Sequence, residues 1–151
     1  MSVAFRRESD EEHKEPKFAI PIPPGPNLVT RRGLALIAAR VAELEGAAPE
    51  GDAAEEHGRQ LRYWRARLAT AHVAPSPAPG AVAFGSRVRF RLNGTERAIA
   101  IVGSDEADPD AGFIAFTAPL ARAMIGAHVG EDVDFAGREG AIAILDASPI
   151  A

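Results

Sequence analysis

The chain has 151 residues with 17 basic and 21 acidic side chains, a formal net charge of −4, 46% hydrophobic residues and no Cys. That is ordinary globular composition, able to bury a core, and the lack of Cys excludes disulfide frameworks, thiolate metal sites, iron–sulfur clusters and a Cys nucleophile. No apolar run is long enough for a bilayer, the first residues MSVAFRRESDEEHKEPK lack the apolar stretch of a secretory signal, and no segment is strongly basic, so no membrane partner, a cytoplasmic location and no direct grip on bare DNA are expected.

Residues 1–27 read as a tail. A mixed charge run is followed by FAIPIPPGPN, in which Pro21, Pro23, Pro24 and Pro26 crowd together. Proline fixes φ and removes a donor, so this part is expected to be extended. Residues 28–74 read as two helices. From Thr30 to Glu45 the residues Leu34, Ile37, Val41 and Leu44 step by 3, 4 and 3, an a/d seam, with Thr30 as N-cap and Gly46 beyond the end. From Asp52 to Ala74, Leu61, Trp64 and Leu68 step the same way. A link of about six residues makes the two helices an antiparallel hairpin, a short coiled coil. At 1.5 Å per residue its arms are roughly 25 and 33 Å long.

Residues 75–81, PSPAPGA, read as a linker. Over 82–151 the period changes to two. SRVRFRL sets Val88, Phe90 and Leu92 against Arg87, Arg89 and Arg91, an antiparallel strand with one face in water. Asn93-Gly94 predicts a two-residue turn into TERAIAIVG. Asp105–Gly112 is expected to be an acidic loop, Phe113–Phe116 a short strand and Pro119–Ile125 a short helix. Asp132–Phe135 and Ala141–Leu145 are expected as strands around a GREG turn. The fold class is α+β: the helical hairpin, then an antiparallel β domain with one short helix.

Five strings occur in order: LVTRRGL, VAFGSRVRF, IVGSDEAD, APLARAMIGAHVGEDV and GREGAIAIL. Together they make the chain, over about residues 28–147, resemble the Gre transcript-cleavage factors of bacterial RNA polymerase and their shortened relatives, among them the regulator of nucleoside diphosphate kinase. The resemblance implies an FKBP-like C-terminal domain docked at the rim of the polymerase secondary channel, with the coiled coil entering the channel. RNA polymerase is then the partner, and nucleic acid is met only through the polymerase complex.

In cleavage-competent members, acids at the hairpin tip help hold a second Mg²⁺ at the polymerase active centre. Gly51-Asp52-Ala53-Ala54-Glu55-Glu56-His57 fits that tip in part. Asp52 and Glu55 take the places of the metal-holding acids, Glu56 stands where Asn is expected, and the nearby aromatic is missing. A carboxylate suits Mg²⁺, a hard cation that wants oxygen ligands at about 2.1 Å. The same Asp-x-x-Glu also reads as a helix cap, with Asp52 accepting from the N–H of Glu55. The arms are shorter than in the cleavage factors by roughly ten residues, about 15 Å of helix. The expectation is therefore an elongation regulator that occupies the channel without cleaving RNA, is not itself an enzyme and has no intrinsic cofactor; Mg²⁺ enters only if the cleavage alternative holds. Polymerase contact falls, by the resemblance, just before the short helix, on Phe116, Thr117, Pro119, Leu120 and Arg122. Arg59, Arg62 and Arg65, with Arg67 beside them, could meet an acidic polymerase surface or simply form a solvated face.

Overall fold

The structure is a computed structural model that describes residues 19–150. The mixed charge run and Pro16 lie outside the described residues. Two compact units share the chain: one contains Ile37–Thr70, the other Pro26–Leu36 together with the chain from Ala71 onward.

Strand β1, Leu28–Val29, pairs in parallel with β2, His72–Val73. The two strands bracket the helical segment in sequence, and the His72 N–H donates to the Asn27 carbonyl at 2.9 Å. A two-residue strand carries no periodicity, so nothing in the sequence marks this pairing. Helix α1, Arg31–Glu45, begins where the sequence puts it, because Thr30 Oγ1 accepts from the Gly33 N–H at 3.0 Å. Helix α2 is Asp52–Thr70. Its start is set by Gly51 at φ +68, and the Gly51 carbonyl accepts from the Ala54 N–H at 3.0 Å. On α1 the seam residues Ile37, Val41 and Leu44 are buried, whereas Leu61, Trp64 and Leu68 on α2 are half-buried. Within this unit the His57 ring Nε2–H donates to the Leu44 carbonyl, and Arg65 pairs with Glu45 at 2.7 Å.

The larger unit is a five-stranded sheet with a helix on one face. Its strands are β3 Ser86–Leu92, β4 Thr95–Val102, β5 Phe113–Ala115, β6 Asp132–Phe135 and β7 Arg138–Pro149, in the order β5-β4-β3-β7-β6. Asn93 and Gly94, at φ 49 and 86, make the expected tight turn between β3 and β4. Val88, Phe90, Ile99, Ile101, Ile142 and Ile144 form the inner face and meet Ala121 and Met124 of helix α3, Pro119–Met124. The alternation read in SRVRFRL is seen directly: buried and exposed residues alternate from Ser86 to Arg91.

Three expectations fail. The second helix, expected to reach Ala74, stops at Thr70, because His72–Val73 pairs with Leu28–Val29 as a strand. The sheet is not wholly antiparallel, because β5 runs parallel to β4, with Ala100 opposite Phe113. The intervening loop, with a 3₁₀ turn at Pro109–Ala111, carries the chain back along β4, so β5 starts in the same direction. The β6–β7 turn is Ala136-Gly137, at φ 53 and 78, rather than GREG. One glycine at the second turn position is enough for a tight hairpin, so Arg138, Glu139 and Gly140 continue into a twelve-residue strand.

Candidate functional site

The tip acids sit on the first turn of α2. Asp52 and Glu55 are three residues apart on one side of the helix, both exposed. The capping arrangement does not form: Gly51 holds the cap position, so Asp52 is already inside the helix, and neither carboxylate is hydrogen-bonded among the described residues. Their charge still complements the helix dipole. Glu56 differs. It accepts from the Gln60 amide at 2.9 Å and from Nε and Nη2 of Arg59. The Gln60 hydrogen bond first, then Arg59, holds its carboxyl below the usual range. Among the described residues no three acidic or His side chains converge as a metal cage. Asp52 and Glu55 are thus a two-carboxylate edge, able to complete a coordination shell whose other ligands come from elsewhere.

The arginine stripe is largely spoken for. Arg59 is bound to Glu56 and Arg65 to Glu45, so both neutralise acids of their own unit. Arg62 is exposed. Arg67, read with the solvated stripe, is buried at 3% exposure.

The turn before α3 presents a mixed surface. Thr117, Pro119 and Arg122 are exposed, while Phe116 and Leu120 are half-buried against the core. Phe116 meets Phe84 edge-on, with centroids 5.4 Å apart. Pro119 opens a helix whose N-cap, Ala118, makes no side-chain cap bond. Ile125 and Val129 beyond that helix are 39% and 44% exposed.

One cluster was not foreseen from the sequence. Glu106, within the acidic loop, is buried, its side chain only 1% exposed. It accepts from Thr30 Oγ1 at 2.5 Å and pairs with Arg32 Nη1 at 2.8 Å. The Arg32 guanidinium also lies 4.4 Å from the Phe113 ring centroid. Gly33 leaves room for the carboxylate, since a Cβ there would stand 2.8 Å from Glu106 Oε1. Gly103 lets the Leu28 carbonyl approach so closely that a Cβ at 103 would collide with it. The strings LVTRRGL and IVGSDEAD, more than seventy residues apart, therefore meet as one clamp. The available signal was their joint presence: each supplies a Gly beside polar partners for the other.

Comparison with known proteins bears on the sheet unit. The model of the family described as "Transcription elongation factor, GreA/GreB, C-term" matches residues 76–149. A transcription elongation factor GreB of Xanthomonas axonopodis is 35% identical over 111 residues, 62% of this chain and 66% of that one. A transcription elongation factor GreA of Mesoplasma florum is 43% identical over 61 residues, 39% of each chain. The aligned part spans about two fifths of the length of that relative. Among solved structures, the "Prokaryotic transcription elongation factor GreA/GreB from Nitrosomonas europaea" is 20% identical, with 83% of this chain and 99% of that one covered and a TM-score of 0.40. Residues 76–149 thus form a C-terminal domain of the GreA/GreB family.

Proposed function

We propose that the protein is a Gre-type elongation regulator that docks on RNA polymerase through the turn and helix at Phe116–Arg122 and occupies the secondary channel with its helical segment, without driving RNA cleavage. In this reading α1 and α2 form the antiparallel hairpin, the sheet unit is the FKBP-like docking domain, and the protein is an accessory factor rather than an enzyme. The observation that carries the reading is the family match over residues 76–149, the segment that contains the exposed Thr117, Pro119 and Arg122.

Helix length argues against cleavage. The helices have 15 and 19 residues, about 22 and 28 Å. Coordination demands a carboxylate oxygen about 2.1 Å from Mg²⁺, so an arm short by about 15 Å leaves its acids out of reach. Glu56 weighs the same way, because Arg59 and Gln60 already occupy its oxygens. The alternative, delivery of Mg²⁺ by Asp52 and Glu55, rests on the exposure of those two carboxylates.

One assay tests both readings. Stalled bacterial elongation complexes are incubated with saturating protein and transcript lengths followed. The expected result is retention of the protein on the polymerase with no shortening. Shortening abolished by Asp52→Ala would establish the cleavage alternative instead. Failure to co-purify with core polymerase, with Pro119→Asp and Arg122→Glu behaving as the parent, would overturn docking altogether.

A further inference from the structure

A cavity of about 520 Å³ opens within the larger unit. Its walls are Arg31, Val73, Pro75, Pro77, Phe84 and Ile150. Three features build it. The β1–β2 pairing brings Val73 beside the first turn of α1. Gly85, at φ +86, lets Pro77 lie against it, with Pro77 Cδ 3.4 Å from where a Cβ would be. The Gly85 carbonyl accepts from the Ile150 N–H at 3.0 Å, which fixes the far wall. The size is that of a small-ligand site, and the lining mixes apolar side chains with Thr30, Arg31, Arg32 and Ser76.

The charge at its mouth is unbalanced. The first turn of α1 holds Arg31 and Arg32 and no acid, although a helix start favours negative charge. Arg32 is compensated by Glu106. Arg31 is exposed and has no ion pair or hydrogen bond among the described residues. Thr30, also on the wall, already donates its hydroxyl to Glu106. Arg31 is therefore the one cation on the wall left to meet an anion, above apolar side chains that include an aromatic ring.

We propose that this cavity binds small amphipathic anions: a flat apolar body against Phe84, Pro77 and Val73, carrying one carboxylate, sulfonate or phosphate that reaches Arg31. The site adjoins the proposed docking turn through Phe84, which meets Phe116, but the binding of a small anion there is tested without polymerase.

The test titrates the full-length protein with naphthalene-1-sulfonate and with neutral 1-naphthalenemethanol while following backbone amide NMR signals. Saturable shifts are expected at Val73, Phe84 and Ile150, with the sulfonate bound about fivefold more tightly than the alcohol, the size of one partly exposed ion pair. Arg31→Gln should erase that preference and leave alcohol binding in place. Val73→Trp and, independently, Ser76→Trp should fill the cavity and abolish both, with the sheet amides unchanged. Absent or unsaturable shifts, shifts centred elsewhere, equal binding of the two probes, or binding that survives both Trp variants would overturn the proposal.

Discussion

The clamp around Glu106 makes a prediction about asymmetry. Its carboxylate is almost fully buried, while the Arg32 side chain is 51% exposed. Removing either partner breaks the same ion pair but leaves different remainders. Arg32→Met keeps an apolar stem near Phe113 and strands a buried carboxylate with only the Thr30 hydroxyl, 2.5 Å away, to satisfy it. An uncompensated buried charge costs about 3 kcal/mol, the low end of the usual range, since water at the Arg32 side can relax part of it. Glu106→Gln removes the charge, keeps an oxygen for Thr30 and lets the exposed guanidinium rehydrate; the loss is one charge-assisted bond, about 1.5 kcal/mol. The double variant should cost less than the sum, by about 1–2 kcal/mol, because the two residues share one interaction. Urea unfolding of the four proteins, with m-values checked for constancy, measures all of this. If Glu106→Gln proves as costly as Arg32→Met, or the two effects add, the reasoning from unequal burial is wrong.

The remaining predictions concern two glycines and Glu56. Gly103→Ala should destabilise by about 2 kcal/mol or more, since the added Cβ meets the Leu28 carbonyl, a backbone atom that cannot rotate away; the amide signals of Leu28 and Val73 should shift first. Gly33→Ala should also destabilise, by about 1 kcal/mol net, because displacing the Glu106 carboxylate outweighs the roughly 1 kcal/mol that Ala offers a helix. The Glu56 carboxyl is held below its ordinary value by Gln60 and Arg59. Its contribution is therefore present above about pH 4.5 and fades as acid protonates it, so amide protection in the first turns of α2 should fall below pH 4.5. Glu56→Gln should remove that acid-dependent loss; an unchanged pH profile would contradict it.

What the sequence revealed and hid follows from the range of each interaction. Thr30 as a cap, the Asn93-Gly94 turn and the Val88–Phe90–Leu92 face are local features, set within a few residues, and all are present. The parallel placement of β5 and the β1–β2 pairing depend on where a loop returns, which no window of the chain encodes. The Ala136-Gly137 turn was hidden because Ala adopts a positive φ there, against its own preference, once the flanking strands pair. Asp52 illustrates a subtler failure. Its spacing to Glu55 matched a capping box, but the motif only works if Asp52 stays outside the helix, and Gly51 took that place.

Glu106 is the instructive residue for the site itself. In sequence it belongs to a run with Asp105, Asp108 and Asp110, and composition alone assigns all four to water. A carboxylate is buried only where donors are already arranged for it. Those donors, Thr30 and Arg32, are supplied by the first turn of α1, and the two glycines that admit them, Gly33 and Gly103, come one from each string. Two short strings far apart thus satisfy each other's polar groups and steric needs at once. A single shared contact could arise by chance. Reciprocal requirements of this kind tie the root of the helical arm to the loop after β4, so neither string can change alone without cost.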